Sequence, residues 1–247
     1  VILLHGFTGA SDAWGRVIVD GLSAAGHPPV MVELPGHGRN KGSSDPSDFS
    51  LDAACLSISA AGDGRPGPLM GYSMGGRIAL AYAARHPERV TRLVLESASP
   101  GLASEEERTA RRASDEELAL RLESWGIEAF VDHWESLPIF GSQRSLPSET
   151  RRAHRARRLA NDPRSLAAAL RGLGTGALPS LWDALPGFEV PTLLIVGALD
   201  LKFVSVAERM ASLLPDARIA MVPGAGHAVH LERPGEWLAA VVGFLAD

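Results

Sequence analysis

Met70-Gly71-Tyr72-Ser73-Met74-Gly75-Gly76-Arg77 decides the fold of this chain. Ahead of it, Gly67-Pro68-Leu69-Met70 reads as a short apolar strand leaving a Gly/Pro turn. Behind it, Arg77 to Arg85 reads as a helix. The centre, Gly71-Tyr72-Ser73-Met74-Gly75, is a G-x-S-x-G pattern, and strand, sharp turn and helix form the setting of a nucleophile elbow. A turn this tight strains the serine backbone, and only small neighbours clear the strand and helix. The Ser73 hydroxyl then stands at the strand's carboxyl end, over a helix N-terminus that favours developing negative charge. The pattern alone occurs by chance as a Gly/Ser turn, so the flanking strand and helix carry the reading.

Working outward, short apolar runs alternate with helical stretches. Val1-Ile2-Leu3-Leu4 is a strand, followed by a His5-Gly6-Phe7-Thr8-Gly9 loop. Ser11 or Asp12 is placed to cap a helix carrying Trp14, Val17, Ile18 and Leu22. Val30 to Leu34 is a second strand, ending in Pro35-Gly36-His37-Gly38, and residues 39–50 read as a loop. Leu51 to Ala61 is helical, and Arg92 to Glu96 is another strand. This alternation predicts α/β architecture: a mostly parallel sheet with helices on both faces. Residues 1–99 form its first part. From 100 to 181 no strand pattern is found. Helical spacing over Ser104–Glu123, Ile127–Glu135, Ser148–Leu159 and Ser165–Leu173 predicts a helical cap, with Ser104 and Glu107 as a capping box. About half of the arginines fall in this cap beside a similar number of Asp and Glu, which favours solvated helix faces over a basic patch. The core resumes over 182–247: strands at Thr192–Gly197 and Ala217–Val222, helices over Val204–Leu214 and Pro234–Leu245.

Bulk properties narrow the function. The 247 residues fit one large domain with an insertion. A net charge of −5 gives no general attraction to nucleic acid or anionic membrane. No apolar run reaches the ~20 residues of a membrane helix. Cys55 is the single cysteine, so no intrachain disulfide or cysteine zinc site forms, which suits a cytoplasmic location. Val1 leads directly into the first strand without a signal-peptide pattern or initiator methionine, so a short preceding piece, such as an edge strand, is expected to be missing.

A serine hydroxyl needs an imidazole to activate it, and the imidazole needs an acid to orient it. Ser73, Asp200 and His227 occur in that chain order, each in a loop just past a strand, so all three converge on one sheet edge. Glu96 also follows a strand. Asp200 is the better acid because it ends the penultimate strand, with His227 after the last. His230 rivals His227 as base but reads as a helix-surface histidine, while His5 and His37 read as loop-ordering residues. None of these histidines has a carboxylate at ligand spacing, so no metal is expected. The backbone N–H groups of Phe7 and Met74 are the candidate oxyanion donors, with Phe7 also a core aromatic.

With these residues placed, the whole chain resembles the α/β-hydrolase fold superfamily. It is further similar to one branch, the 2-succinyl-6-hydroxy-2,4-cyclohexadiene-1-carboxylate synthases of menaquinone biosynthesis. The shared segments include His5-Gly6-Phe7-Thr8-Gly9, Leu34-Pro35-Gly36-His37-Gly38 and the elbow through Arg77. Arg171-Gly172-Leu173-Gly174-Thr175-Gly176 and Ala225-Gly226-His227-Ala228-Val229-His230-Leu231-Glu232 are shared as well, and more specific are Leu95-Glu96-Ser97-Ala98-Ser99-Pro100-Gly101-Leu102, Arg77 closing the elbow and Asp200-Leu201-Lys202-Phe203. The resemblance implies a lyase that abstracts a ring proton and expels pyruvate, with Ser73 as base and no acyl-enzyme. It implies no cofactor, a small-molecule polycarboxylate as partner, and a monomer or weak homo-oligomer. It also implies that Arg77, one helical turn past Ser73, and Arg111 in the cap bind substrate carboxylates, with Tyr72 and Trp134 as pocket aromatics. Two other readings share these residues: a carboxylesterase or C–C bond hydrolase using the same triad, and a binding module that kept only the fold.

Overall fold

Six apolar runs pair as one parallel sheet in the computed structural model, which describes residues 1–43 and 45–247. They are β1 (Ile2–Leu4), β2 (Val30–Val32), β3 (Gly67–Tyr72), β4 (Val90–Glu96), β5 (Thr192–Gly197) and β6 (Ala217–Val222), in the order β2-β1-β3-β4-β5-β6. Leu3, Met70, Val94 and Leu193 are register partners across four strands. They face one helical layer, α1 (Gly15–Ala24) and α9 (Pro234–Ala246), and pack on Ile18, Leu22, Trp237 and Val241. The alternate residues Leu4, Leu69, Leu95 and Leu194 face the other layer. That layer is built from α2 (Leu51–Ala61), α3 (Met74–Arg85) and α7 (Leu201–Ala211). Both faces are covered, so the strands carry continuous apolar runs and not a polar alternation. Successive side chains point to opposite faces, which decides which layer each one meets.

The chain leaves β1 toward β2 on one side and returns to β3 on the other. This reversal makes a crevice at the carboxyl ends of β1 and β3, the place where open α/β sheets bind ligands. Between β4 and β5 lie α4 (Glu105–Ser136), a 3-10 stretch at Pro138–Ser145, α5 (Ser148–Leu159) and α6 (Pro163–Leu173). Ser104 and Glu107 make the expected capping box on α4. The two expected helices at 104–123 and 127–135 run together as α4 with a break at Gly126, whose φ of 77° and ψ of 175° are non-helical. Ala119, Leu122, Phe130, Val131 and Leu166 form a separate apolar cluster, and Phe7 and Trp134 join it to the crevice.

Local chemistry shifts several boundaries. Neither Ser11 nor Asp12 caps a helix. Residues Ser11–Trp14 are a 3-10 turn, and the Ser11 N–H donates to Glu33 Oε1 at 2.8 Å, so a carboxylate from the β2 end takes the place of local capping. The seventh helix begins at Leu201 and not Val204 because the Asp200 side chain accepts from the Phe203 N–H at 3.4 Å. Similarly, Asp162 caps α6 through the Ser165 N–H at 2.9 Å. Among the described residues no helix is long and apolar enough to cross a membrane.

Candidate active site

Ser73 sits at the β3–α3 junction with φ 52° and ψ −110°, the strained conformation that the tight turn demands. The elbow glycines are steric necessities. A Cβ at Gly75 would run into the carbonyls of Leu4 and His5, and one at Gly71 would meet the backbone of Gly75. The Ser73 N–H donates to the Glu96 carbonyl at 2.8 Å, which ties the turn to β4.

His227 Nε2 lies 3.0 Å from Ser73 Oγ, and His227 Nδ1 lies 2.7 Å from Asp200 Oδ2. The relay is buried, and the rings of Phe203, Phe140 and Tyr72 surround the imidazole. With Nδ1–H held by Asp200, Nε2 can accept the serine proton. Glu232, on the short α8 (Val229–Glu232), accepts from the Gly226 and Ala228 N–H groups at 2.7 and 3.2 Å and so fixes the loop carrying His227.

His230 is not a helix-surface histidine. Its side chain is 5% exposed, and its Nδ1 lies 2.8 Å from Glu96 Oε1. Glu96 also accepts from the His230 N–H at 3.0 Å and from Trp237 Nε1 at 2.9 Å, so it belongs to this buried web and not to the Ser73 relay. His5 accepts from the Leu34 N–H at 3.1 Å and is held against its own loop through Gly6. His37 is buried with its Nδ1 2.9 Å from the Pro35 carbonyl, and burial pushes its pKa down to about 3.

A cavity of about 310 Å³ opens beside Ser73, lined in part by Phe7, Met74, Arg77, Arg111, Trp134 and His227. Phe7 and Met74 therefore border the nucleophile from the β1 and β3 sides. Trp134 packs edge-on to Phe7, with centroids 5.3 Å apart, and stacks on Phe130 at 5.8 Å. Arg77 makes no ion pair among the described residues, and its buried Nε has no hydrogen-bond partner. Burial, followed by the nearby Arg111 charge, pushes its pKa down to about 10. Arg111 is held in place by Asp115, Nε to Oδ1 at 2.7 Å. Lys202 and Arg209 line the same cavity, against a single lining carboxylate, Glu107. The excess of cations suits a ligand bearing several carboxylates.

Tyr72 does not line this cavity. Strand alternation turns it to the other side of Ser73, with its ring centroid 4.6 Å from that of His230. There it borders a smaller chamber shared with Ser73, Trp134, Phe140, His154 and Arg158. Arg158 is the residue the sequence reading passed over among the cap arginines. Its side chain is 5% exposed, its Nη1 donates to Glu135 at 3.0 Å, and it lies over the Phe140 ring, 5.0 Å from the centroid. Its Nε is buried without a partner, and burial lowers its pKa. The available signal was the face 151, 154, 155, 158 on α5, one side of a helix. Among the described residues no group of three or more His, Cys, Asp or Glu is arranged to hold a metal ion.

The family described as alpha/beta hydrolase fold matches residues 1–234. A Bacillus subtilis protein named "Putative 2-succinyl-6-hydroxy-2,4-cyclohexadiene-1-carboxylate synthase" is 39% identical over 237 residues, covering 95% of this chain and 85% of that protein. The 2-succinyl-6-hydroxy-2,4-cyclohexadiene-1-carboxylate synthase of an Enterobacter strain is 31% identical over 247 residues, covering 100% of this chain and 90% of its own. Among solved structures, MenH from S. aureus superposes with a TM-score of 0.90 at 36% identity, covering 99% of this chain and 92% of the other.

Proposed function

Since the chain belongs to the alpha/beta hydrolase fold family and, within it, to the 2-succinyl-6-hydroxy-2,4-cyclohexadiene-1-carboxylate synthases, we propose that it eliminates pyruvate from 2-succinyl-5-enolpyruvyl-6-hydroxy-3-cyclohexene-1-carboxylate. The product is 2-succinyl-6-hydroxy-2,4-cyclohexadiene-1-carboxylate, in menaquinone biosynthesis. The observation that carries this reading is the placement of Arg77, Arg111, Lys202 and Arg209 in the cavity that holds Ser73 and His227. A neutral ester gives those cations nothing to bind, whereas a substrate with several carboxylates does.

In this reading Ser73 is the base. As its proton passes to His227 Nε2, Ser73 Oγ takes the ring proton. The C–H electron pair at C2 forms a C2=C3 bond, the existing C3=C4 pair moves to C4=C5, and the C5–O bond to the enolpyruvyl group breaks. His227 returns a proton as the leaving enolate becomes pyruvate, so atoms and charge balance without an acyl-enzyme or cofactor. Asp200 holds the imidazole tautomer. The Phe7 and Met74 N–H groups stabilise the negative charge that builds as the proton leaves. Arg77 and Arg111 bind carboxylates, Trp134 forms an aromatic wall, and Tyr72 with Arg158 shapes the chamber on the far side of Ser73. The proposal places the protein in the cytoplasm as a monomer or weak homo-oligomer.

The test is pyruvate release from precursor made in situ, with the enzyme-free rate subtracted, for wild type and Ser73→Ala, beside aryl-ester hydrolysis. Ser73-dependent release is expected. Release no faster than the blank, together with rapid ester turnover, would replace the lyase with a hydrolase using the same triad.

A further inference from the structure

One edge of the sheet is left open. β6 pairs with β5 on one side, and among the described residues no strand pairs with its other side. The Asp216 and Val222 carbonyls accept from the Thr192 and Ala198 N–H groups at 2.9 and 3.0 Å, so residues 216, 218, 220 and 222 direct their backbone groups to β5. The alternate residues Ala217, Ile219 and Met221 turn theirs outward. Their side chains lie on the α7 face, where Ala217 joins the core but Ile219 is 38% and Met221 45% exposed.

Proteins ordinarily blunt such an edge with a proline, a bulge, outward charge or a very short strand. The opposite edge, β2, is only three residues long. β6 has six residues, keeps an unbroken register with β5 and contains no proline. Its one charge, Arg218, is drawn to the α9 face, where it pairs with Asp247 and lies over the Phe244 ring. The two ends of β6 differ in charge. Asp216 stands exposed just before its first residue, and Arg233, at the start of α9, stands exposed beside Gly224 past its last. Neither makes an ion pair among the described residues.

We propose that β6 is the docking edge for a second copy of this chain, joined about a two-fold axis at Ile219 with the two strands antiparallel. In that register Ile219 meets its own counterpart, and Ala217 meets Met221 of the partner subunit. The outward residues then all fall in hydrogen-bonded pairs, so every outward N–H and C=O finds a partner. The same register packs Ile219 on Ile219 and Met221 on Ala217 across the α7 face, withdrawing the exposed apolar side chains from water. On the α9 face it brings each Asp216 to Arg233 of the partner subunit. An unrelated strand would satisfy the backbone groups, but a copy of β6 also supplies the apolar match and the opposite charge at each end. Two six-stranded sheets become one continuous sheet. The Ser73 cavities, at the carboxyl ends of the strands, open in opposite directions and stay free. The interface is small, so the dimer is reversible, with a dissociation constant on the order of 10–100 µM.

The experiment is sedimentation equilibrium of the full chain without substrate, so its outcome stands apart from whether the protein is a lyase. The mass should rise from one chain toward two between about 5 and 500 µM. Ile219→Lys sets like charges together at the axis and should weaken association roughly tenfold or more. Asp216→Arg should weaken it roughly tenfold, and Asp216→Arg/Arg233→Asp should restore it to within about threefold of wild type. That exposed pair keeps the test valid if Ile219→Lys fails to fold. Oxidation reads the register. A hydrogen-bonded antiparallel pair holds its Cα atoms about 5.5 Å apart, within disulfide reach. Ile219→Cys should therefore form an interchain disulfide at least about tenfold faster than Leu56→Cys, an exposed control on α2, with the native Cys55 buried in both. A one-chain mass at about 500 µM, association unmoved by Ile219→Lys, a charge swap that leaves association weak, or equal crosslinking of the two cysteine variants would each overturn the proposal.

Discussion

Replacing Arg77 separates a residue kept for ligand from one kept for the fold. The side chain is half-buried one turn past Ser73 with its Nε buried and unpartnered, has no ion pair among the described residues, and lies close enough to Arg111 to be destabilised by it. A pKa pushed down from the ordinary arginine range to about 10 corresponds to roughly 3 kcal/mol against the charged form, an order-of-magnitude figure. A base with a lowered folded pKa carries this penalty wherever it is charged in the fold, including pH 7, and it fades only as pH rises through that pKa. Arg77→Met keeps most of the aliphatic volume and removes the charge. The unliganded fold should therefore hold its stability or gain about 1–2 kcal/mol after the lost stem packing is subtracted. For a chain of this size that is an unfolding midpoint unchanged or raised by a few degrees. Pyruvate release should move the other way. Removing one partner of a desolvated carboxylate pair costs about 2–5 kcal/mol, a fall in kcat/KM of roughly 30-fold to several thousandfold. The assays are pyruvate release and a thermal melt on the same preparation. A midpoint lowered by more than a few degrees, with kcat/KM reduced less than tenfold, would show that Arg77 is structural and refute the reasoning.

Other substitutions test other links. Gly75→Ala drives a methyl into the Leu4 and His5 carbonyls, so β1 and α3 must separate; pyruvate release should fall at least about a hundredfold as the oxyanion donors move apart, and an active, fully stable variant would contradict the packing. His37 is held neutral by burial down to about pH 3, while the unfolded chain takes a proton near 6.5, so stability is lost as pH falls through that window. The loss from this one group reaches about 2 kcal/mol at pH 5, and His37→Asn should flatten the melting-temperature slope between pH 7 and 5. Glu96→Ala leaves the His230 and Trp237 donors unpaired and should cost about 3 kcal/mol of stability with the Ser73 relay intact; Asp200→Asn should do the reverse, cutting kcat with little effect on the melt. Matching kinetic losses in the two variants would undo the assignment of Asp200 as the acid.

How much of this was legible in the sequence depends on the range of the force that placed each residue. The elbow was readable because its constraints are local: β3, a left-handed serine and α3 are neighbours in the chain. Ser73, Asp200 and His227 were readable because strand ends mark the catalytic edge of a parallel sheet. Tyr72 was readable in principle, since adjacent residues of a strand face opposite ways, and the structure puts it across Ser73 from Arg77. His230 was misread because the group that buries it, Glu96, lies 134 positions away. Its own segment looks like any short polar helix end. Arg158 was hidden for a similar reason: α5 reads as basic nearly all round, and only Glu135 and Phe140, contributed by other elements, pick out the buried face. The Gly126 break joined two expected helices because a positive-φ glycine turns the chain without ending the run.

The relay by itself does not distinguish elimination from ester hydrolysis, because a serine activated by His227 can attack a carbonyl or take a proton. The wall of the cavity makes the distinction. Proton abstraction leaves a delocalised negative charge on a substrate already anionic, and that charge rises as the C–H bond breaks. Arg77, Arg111, Lys202 and Arg209 around the Ser73 cavity, opposed among the described residues by Glu107 on its wall and by the Asp115 that pairs with Arg111, lower the energy of that rising charge. A tetrahedral ester intermediate concentrates its charge on one oxygen, which two backbone N–H groups can serve without help. Keeping Arg77 half-buried and without an ion pair among the described residues is then a penalty with no return for a neutral ester. For a polycarboxylate the same unpaired charge is a prepared site, and its cost is offset when the substrate binds. Cation placement, more than triad geometry, therefore assigns the chemistry.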